Sequence, residues 1–108
     1  MSTQTAAPDI LEELLEETSQ EQTHEPPFRI VIHNDDVTPY DFVILILQTI
    51  FHLAPVAAEL VTFAAHTTGH ALVAVLPKPE AQRRVGKAHF AAQLEGYPLT
   101  FTLEPDDN

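Results

Sequence analysis

The chain has 108 residues, with 16 acidic and 5 basic side chains, a formal net charge of −11, and no cysteine or tryptophan. This length supports one core. The absence of thiols excludes a disulfide scaffold, a thiolate metal site and a cysteine nucleophile. The negative charge argues against nucleic acid as a partner, since phosphate is neutralised by a basic face.

Taken in chain order, residues 1–27 hold seven of the acids and no Lys or Arg. Such a stretch buries too little apolar area to offset its ordering entropy, and is expected to be a disordered acidic extension. Within it, Ile10, Leu11, Leu14 and Leu15 recur at helical spacing among glutamates, with Asp9 as a cap and Glu12 three residues on. Two readings stay open there: a fraying turn of solvated helix, or a short acidic-apolar docking segment. No basic segment precedes an apolar run as in a targeting sequence. No run reaches the ~20 apolar residues that span a bilayer, so no membrane association is expected. Pro26-Pro27 marks the boundary with a folded domain over 28–105, and 106–108 form a short tail.

Phe28 to His33 is rich in β-branched residues and reads as a strand, which Asn34-Asp35-Asp36 breaks. Thr38 is the expected N-cap of the first helix, with Pro39 in its first position and Asp41 at capping-box spacing. The run Phe42 to Leu47 suits a strand or a helix; the cap and the continuation to Phe51 favour the helix. Pro55 opens a second helix to about His66, and Gly69 ends it. Ala71 to Leu76 has no polar residue and reads as a buried strand. Pro77 and Pro79 open a third helix over Glu80 to Glu95, closed by Gly96 and Pro98. Four of the five basic residues lie in it or just before it. Leu99 to Glu104 alternates as a half-buried strand. The order β-α-α-β-α-β predicts an α+β fold, a single compact domain with three helices packed on one face of a small three-stranded antiparallel sheet.

By residue type alone, Asn34, Asp35 and Asp36 are ordinary turn residues, and His66 at a helix end suits the C-terminal dipole. A metal hydrolase built on His33, Asp35, Asp36, His66 and His70 is the enzymatic alternative. It needs His66 and His70 on one continuous helix, which Gly69 interrupts. Neither a Ser-His-Asp arrangement nor a phosphate-binding loop is apparent. The chain is therefore read as non-catalytic, with no metal and no cofactor.

Three motifs carry a resemblance. His33-Asn34-Asp35-Asp36-Val37-Thr38-Pro39-Tyr40-Asp41-Phe42-Val43, then Ala64-Ala65-His66-Thr67-Thr68-Gly69, then Pro98-Leu99 with Thr102-Leu103-Glu104 fall in register across 28–105. Together they resemble the ClpS family, adaptors that deliver N-degron substrates to the Clp AAA+ protease. The resemblance implies binding of a free N-terminal Phe, Tyr, Trp or Leu and no catalysis. It assigns Asn34, Asp35 and His66 to the α-amino group. An ammonium has three donors and a charge, and an amide oxygen, a carboxylate and a neutral imidazole nitrogen suit them. A protonated imidazole would lose its acceptor and repel the ammonium, so binding is expected to weaken as His66 protonates. The side-chain pocket carries over as Ile32, Thr38, Tyr40, Val43, Thr62, Ala65 and Leu99.

This chain departs from the family at Tyr40 and Thr62, where Met is common, and at Ala65, where Val is. Stacking on Tyr40 would favour aromatic N-termini. Leu45, Val56 and Leu60 stand at usually polar positions, and either extend the core or form a partner patch. Glu80 and Arg84 lie one helical turn apart and are expected to pair. The resemblance places the unfoldase N-terminal domain on their face, and implies that the unfoldase engages the acidic extension. It further implies a monomer in a bacterial cytoplasm, a cytoplasmic setting that the missing transit segment favours. A non-degradative peptide-binding module or decoy of the same fold is the alternative.

Overall fold

A computed structural model describes residues 25–107. The expected disorder of the acidic extension and its short helix at residues 9–15 fall on 1–24, outside the described residues. The elements are β1 (Phe28–His33), α1 (Tyr40–Thr49), α2 (Pro55–Thr68), β2 (His70–Leu76), α3 (Lys78–Glu95) and β3 (Thr100–Pro105). The order is the one expected. The three strands form an antiparallel sheet in the order β2-β1-β3.

β1 is central, and its Ile30 and Ile32 are fully buried. Strand β-branched residues pack well on a pleated surface, which is why this segment takes the middle of the sheet. The β1–β2 register slips between Ile30, opposite Ala74, and Val31, opposite Leu72. Val73 is thus the extra residue of a bulge, and it turns into the core. β2 differs from the buried strand expected. It is an edge strand, and Leu72 and Val75 are exposed on the open face. An apolar run puts side chains on both faces, and here the helices cover only one.

The helices supply the other side of the core. α3 lays Ala81, Val85, Ala88 and Ala92 against the sheet at spacings of four, three and four. α1 buries Val43, Ile46 and Leu47, and α2 buries Ala58, Thr62 and Ala65. Phe51, just past α1, meets Phe101 of β3 with ring centroids 5.0 Å apart. Arg84 Nη1 donates to the Phe51 carbonyl at 3.4 Å, tying α3 to the end of α1. Leu45, Val56 and Leu60 are exposed, so they do not extend the core; Phe63, one turn beyond Leu60, is exposed with them.

Several boundaries shift: β2 starts at His70 rather than Ala71, α3 at Lys78 rather than Glu80, and β3 spans Thr100–Pro105 rather than 99–104. α1 starts at Tyr40 with Pro39, not Thr38, as its N-cap, and no side chain caps it. The Thr38 hydroxyl is donated to Asp35 instead. α1 stops at Thr49, and His52 takes a left-handed conformation (φ 60°) in the turn to α2. α2 runs on to Thr68, where Gly69 closes it at φ +101° and donates its N–H to Ala65 O at 2.8 Å. A side chain at such a φ is strained, so this turn calls for glycine.

Candidate functional site

The loop after β1 is organised by one carboxylate. Asp35 Oδ1 accepts the N–H of Val37 at 2.8 Å and of Thr38 at 2.6 Å, while Oδ2 accepts the Thr38 hydroxyl at 2.9 Å. Side chains of this type close turns by hydrogen-bonding the backbone two and three residues on. Burial pulls the Asp35 pKa up, but the bonds from Thr38 and Val37 together outweigh it and hold the carboxyl below its ordinary value. A carboxylate has about four acceptor positions. Three are occupied, so Asp35 retains negative charge and one acceptor for a ligand.

A second tie brings the loop to α2. Asn34 N–H donates to Gly69 O at 2.9 Å. The glycine turn that ends α2 therefore also anchors the start of the loop. His66, in the last turn of α2, stands beside Asn34 and Asp35 around one cavity. Asn34 and His66 are both exposed at its rim. The Tyr40 ring meets the His66 ring edge-on, with centroids 5.9 Å apart and planes at 83°.

The cavity encloses about 220 Å³. An apolar cavity of roughly 150 Å³ accommodates a benzene ring, so this one has room for a large side chain. Ile32 comes from β1, Thr38 from the loop, Tyr40 and Val43 from α1, Thr62 and Ala65 from α2, and Leu99 from the approach to β3. All ten residues expected at the α-amino group and in the pocket therefore line the same cavity. Asp36, considered from sequence only as a source of field, lines it too.

His33 is a wall residue that sequence reasoning did not place in the pocket. Strand alternation sets it opposite Ile32, but it is the last residue of β1, where the chain leaves the sheet. His33 Nε2 and Thr102 Oγ1 are hydrogen-bonded at 2.8 Å. The buried Thr62 donates its hydroxyl to Ala58 O at 2.7 Å. That donor is spent on the helix, so Thr62 offers the cavity no free O–H. Behind Leu99, the Phe101 N–H donates to His89 Nε2 at 3.0 Å and fixes the start of β3 against α3.

Glu80 and Arg84 pair as expected but lie on α3, outside the cavity lining. Arg84 Nε donates to Glu80 Oε2 at 2.6 Å. Arg83, which the i,i+4 reading passed over, donates Nη2 to both Glu80 oxygens at 2.6 Å. Hydrogen bonds from Arg83, then from Arg84, lower the Glu80 pKa to about 2. Among the described residues, no group of three or more His, Cys, Asp or Glu gathers as a metal site. Likewise, none of the described helices is long and apolar enough to cross a membrane.

Comparison with known proteins agrees with the motifs. The family profile described as ATP-dependent Clp protease adaptor protein ClpS matches residues 23–102. The ATP-dependent Clp protease adapter protein ClpS 2 of Mesorhizobium japonicum is 37% identical over 87 residues, covering 80% of this chain and 86% of its own. The ATP-dependent Clp protease adapter protein ClpS of Nitratidesulfovibrio vulgaris is 37% identical over 86 residues, covering 79% and 86%. Among solved structures, Agrobacterium tumefaciens ClpS2 bound to L-phenylalaninamide superposes with a TM-score of 0.73 at 30% identity. That match covers 76% of this chain and 99% of the other.

Proposed function

Because this chain belongs to the ClpS family of ATP-dependent Clp protease adaptors, we propose that it captures proteins beginning with Phe, Tyr, Trp or Leu and presents them to a Clp AAA+ unfoldase. The carrying observation is the cavity below Asn34, Asp35 and His66. Its rim offers an amide oxygen, a carboxylate and an imidazole, which suit the three donors and the charge of an α-ammonium. Its walls of Ile32, Val43, Ala65 and Leu99 are apolar, and all four are buried. Its related Agrobacterium protein was solved with phenylalaninamide, a free α-amino group beside a benzyl side chain.

In this reading the side chain enters the cavity and the ammonium stays at the rim. Asn34 and His66 accept from it, and Asp35 adds its remaining acceptor and its charge. Tyr40 presents a ring at the mouth and ranks aromatic N-termini above Leu. An aromatic pair adds about 0.5–1.5 kcal/mol beyond burial. No bond is made or broken. The adaptor raises substrate concentration at the protease and hands the N-terminus over. It acts as a monomer in the bacterial cytoplasm, with the Glu80–Arg84 face of α3 docking the unfoldase N-terminal domain.

Binding of fluorescent peptides beginning with Phe, Leu, Trp, Tyr, Met, Arg and Ala tests the reading, with N-acetyl-Phe as control. Acetylation removes the charge and two of the donors that the rim acceptors Asn34, Asp35 and His66 would engage, so it weakens binding. Tight Phe binding that acetylation abolishes is the expected result. Equal binding of Phe and Ala peptides refutes it. Peptide binding without retention of the unfoldase N-terminal domain would identify a non-degradative module instead.

A further inference from the structure

Leu99 has open space on two of its sides. It lines the cavity below Asn34, Asp35 and His66, and it also lines a second hollow of about 260 Å³ with His89, Gln93, Tyr97, Pro98 and Thr100. Among the described residues, no other side chain lines both. Gln93, Pro98 and Thr100 are exposed, so the second hollow opens to solvent. A side chain packed from every direction is held by its neighbours. One that divides two spaces is held largely by the backbone that carries it.

That backbone is a short span between two anchors. On one side, Tyr97 N–H donates to Ala92 O at 2.9 Å, and the Tyr97 ring meets Phe42 edge-on with centroids 4.9 Å apart. On the other, Phe101 is buried against Phe51 and donates its N–H to His89 Nε2 at 3.0 Å. The Thr100 hydroxyl donates to Pro98 O at 3.0 Å, a bond within the span that ties it to nothing else. β3 is an edge strand, so alternate N–H groups point away from the sheet. The imidazole of His89 meets one of them. Since Phe101 donates, Nε2 carries no proton, and the proton of the neutral ring is on Nδ1. Only about 7 Å of extended chain separates Phe101 from Leu99, so a shift of one passes to the other. His89 itself is absent from the lining of the peptide cavity.

We propose that His89 is a positioning residue for the N-terminal side chain, acting through Phe101 to hold Leu99 against it. The inference rests on the adaptor reading above and adds a determinant of its specificity that touches no ligand. A loosened Leu99 gives up contact with a Phe or Leu side chain. It leaves the ammonium group as it was, because Asn34 and Asp35 are placed by the loop after β1 and His66 by α2.

Two substitutions separate the hydrogen bond from the bulk of the ring. His89→Leu removes the acceptor, while His89→Gln keeps an amide oxygen at the same bond count from the backbone as Nε2. Phe-peptide binding, read by fluorescence anisotropy, is expected to weaken about fivefold in His89→Leu, the equivalent of one net hydrogen bond. His89→Gln should restore it. Val85→Ala, a core truncation on the same helix away from the cavity, is the stability control, and should unfold at lower urea with peptide affinity unchanged. In a Leu99→Ala background, His89→Leu should have almost no further effect on Kd, since the residue it acts through is gone. An equal loss in that background, a folded His89→Leu that binds as wild type does, or no rescue by His89→Gln overturns the proposal. ¹⁵N NMR of the wild-type imidazole needs no variant: a proton on Nδ1 supports the proposal, and a neutral ring protonated on Nε2 refutes it. A wild-type chain that binds no Phe peptide defeats the adaptor reading, and the positioning role with it. Wild-type binding that His89→Leu leaves intact defeats the positioning role alone.

Discussion

Asp35→Asn separates the two tasks of the loop carboxylate. The amide keeps one oxygen to accept from Val37 and Thr38, but replaces Oδ2, which accepts the Thr38 hydroxyl at 2.9 Å, by a donor. One charge-assisted bond is lost and two become neutral. Neutral bonds contribute about 0.5–1.5 kcal/mol net and charge-assisted ones roughly twice that. For a half-exposed site the expected cost to folding is about 1–2 kcal/mol, read as a fall in Tm on the order of 5–10 °C. Binding should suffer more. The variant turns an N–H toward the ligand ammonium and removes the facing charge, which costs about 2–4 kcal/mol, or roughly 30- to 1,000-fold in Kd. Urea unfolding and anisotropy of a Phe peptide measure the two losses on one sample. The pH dependence has a definite sign. Asp35 is held below its ordinary pKa in the fold, so its contribution is present above the ordinary carboxylate range. It is lost as pH falls through the lowered folded value. The variant should therefore show a flatter acid limb of stability. Asp36→Asn is the control, an exposed neighbour with the same charge, whose screened field should change Kd by less than about threefold. A folded Asp35→Asn that binds within threefold of wild type would refute the assignment of Asp35 to the α-amino group.

Other substitutions probe the frame around that carboxylate. Gly69→Ala meets no atom within 4 Å but must hold φ at +101°; a loss of about 1–2 kcal/mol is expected. Weaker Phe-peptide binding should accompany it, because Gly69 O anchors Asn34. Unchanged chemical denaturation would show that the turn can relax. Thr62→Val removes a hydroxyl already donated to Ala58 O, so the peptide ranking should stay within about twofold, and a reordered ranking would mean that the hydroxyl reaches the ligand. Arg83→Gln should return Glu80 from about 2 toward its ordinary range, and further than Arg84→Gln does, as followed by NMR titration of the carboxyl carbon. The opposite order would show that Arg84 is the principal partner.

Exposed apolar groups on three helices share no single explanation. Leu45 on α1, and Val56, Leu60 and Phe63 on α2, carry no adjacent cation that would name an occupant. On α3, Lys87 stands one turn from Phe90, while Arg83 and Arg84 are paired with Glu80. Charge supplies direction and partner choice, and apolar area supplies most of the binding energy.

Local physics made much of this protein legible from its sequence. β-branched runs, Pro at helix starts and Gly at helix ends act within a few residues, so all six elements and their order follow from them. The ten candidate site residues came from the resemblance to the ClpS family rather than from local physics, and one cavity gathers them all. What remained was competition for partners between residues of different elements. Thr38 had two acceptable uses, as helix cap or as donor to Asp35, and the folded loop takes the second. Glu80 had Arg83 and Arg84 within reach and engages both. β2 reads as a buried strand in isolation. Its edge position and the bulge at Val73 arise only because β1 takes the centre of the sheet and the helices cover one face. Periodicity reports which side chains share a face. Only the packed tertiary structure decides which face is covered, and which of several competent partners receives each hydrogen bond.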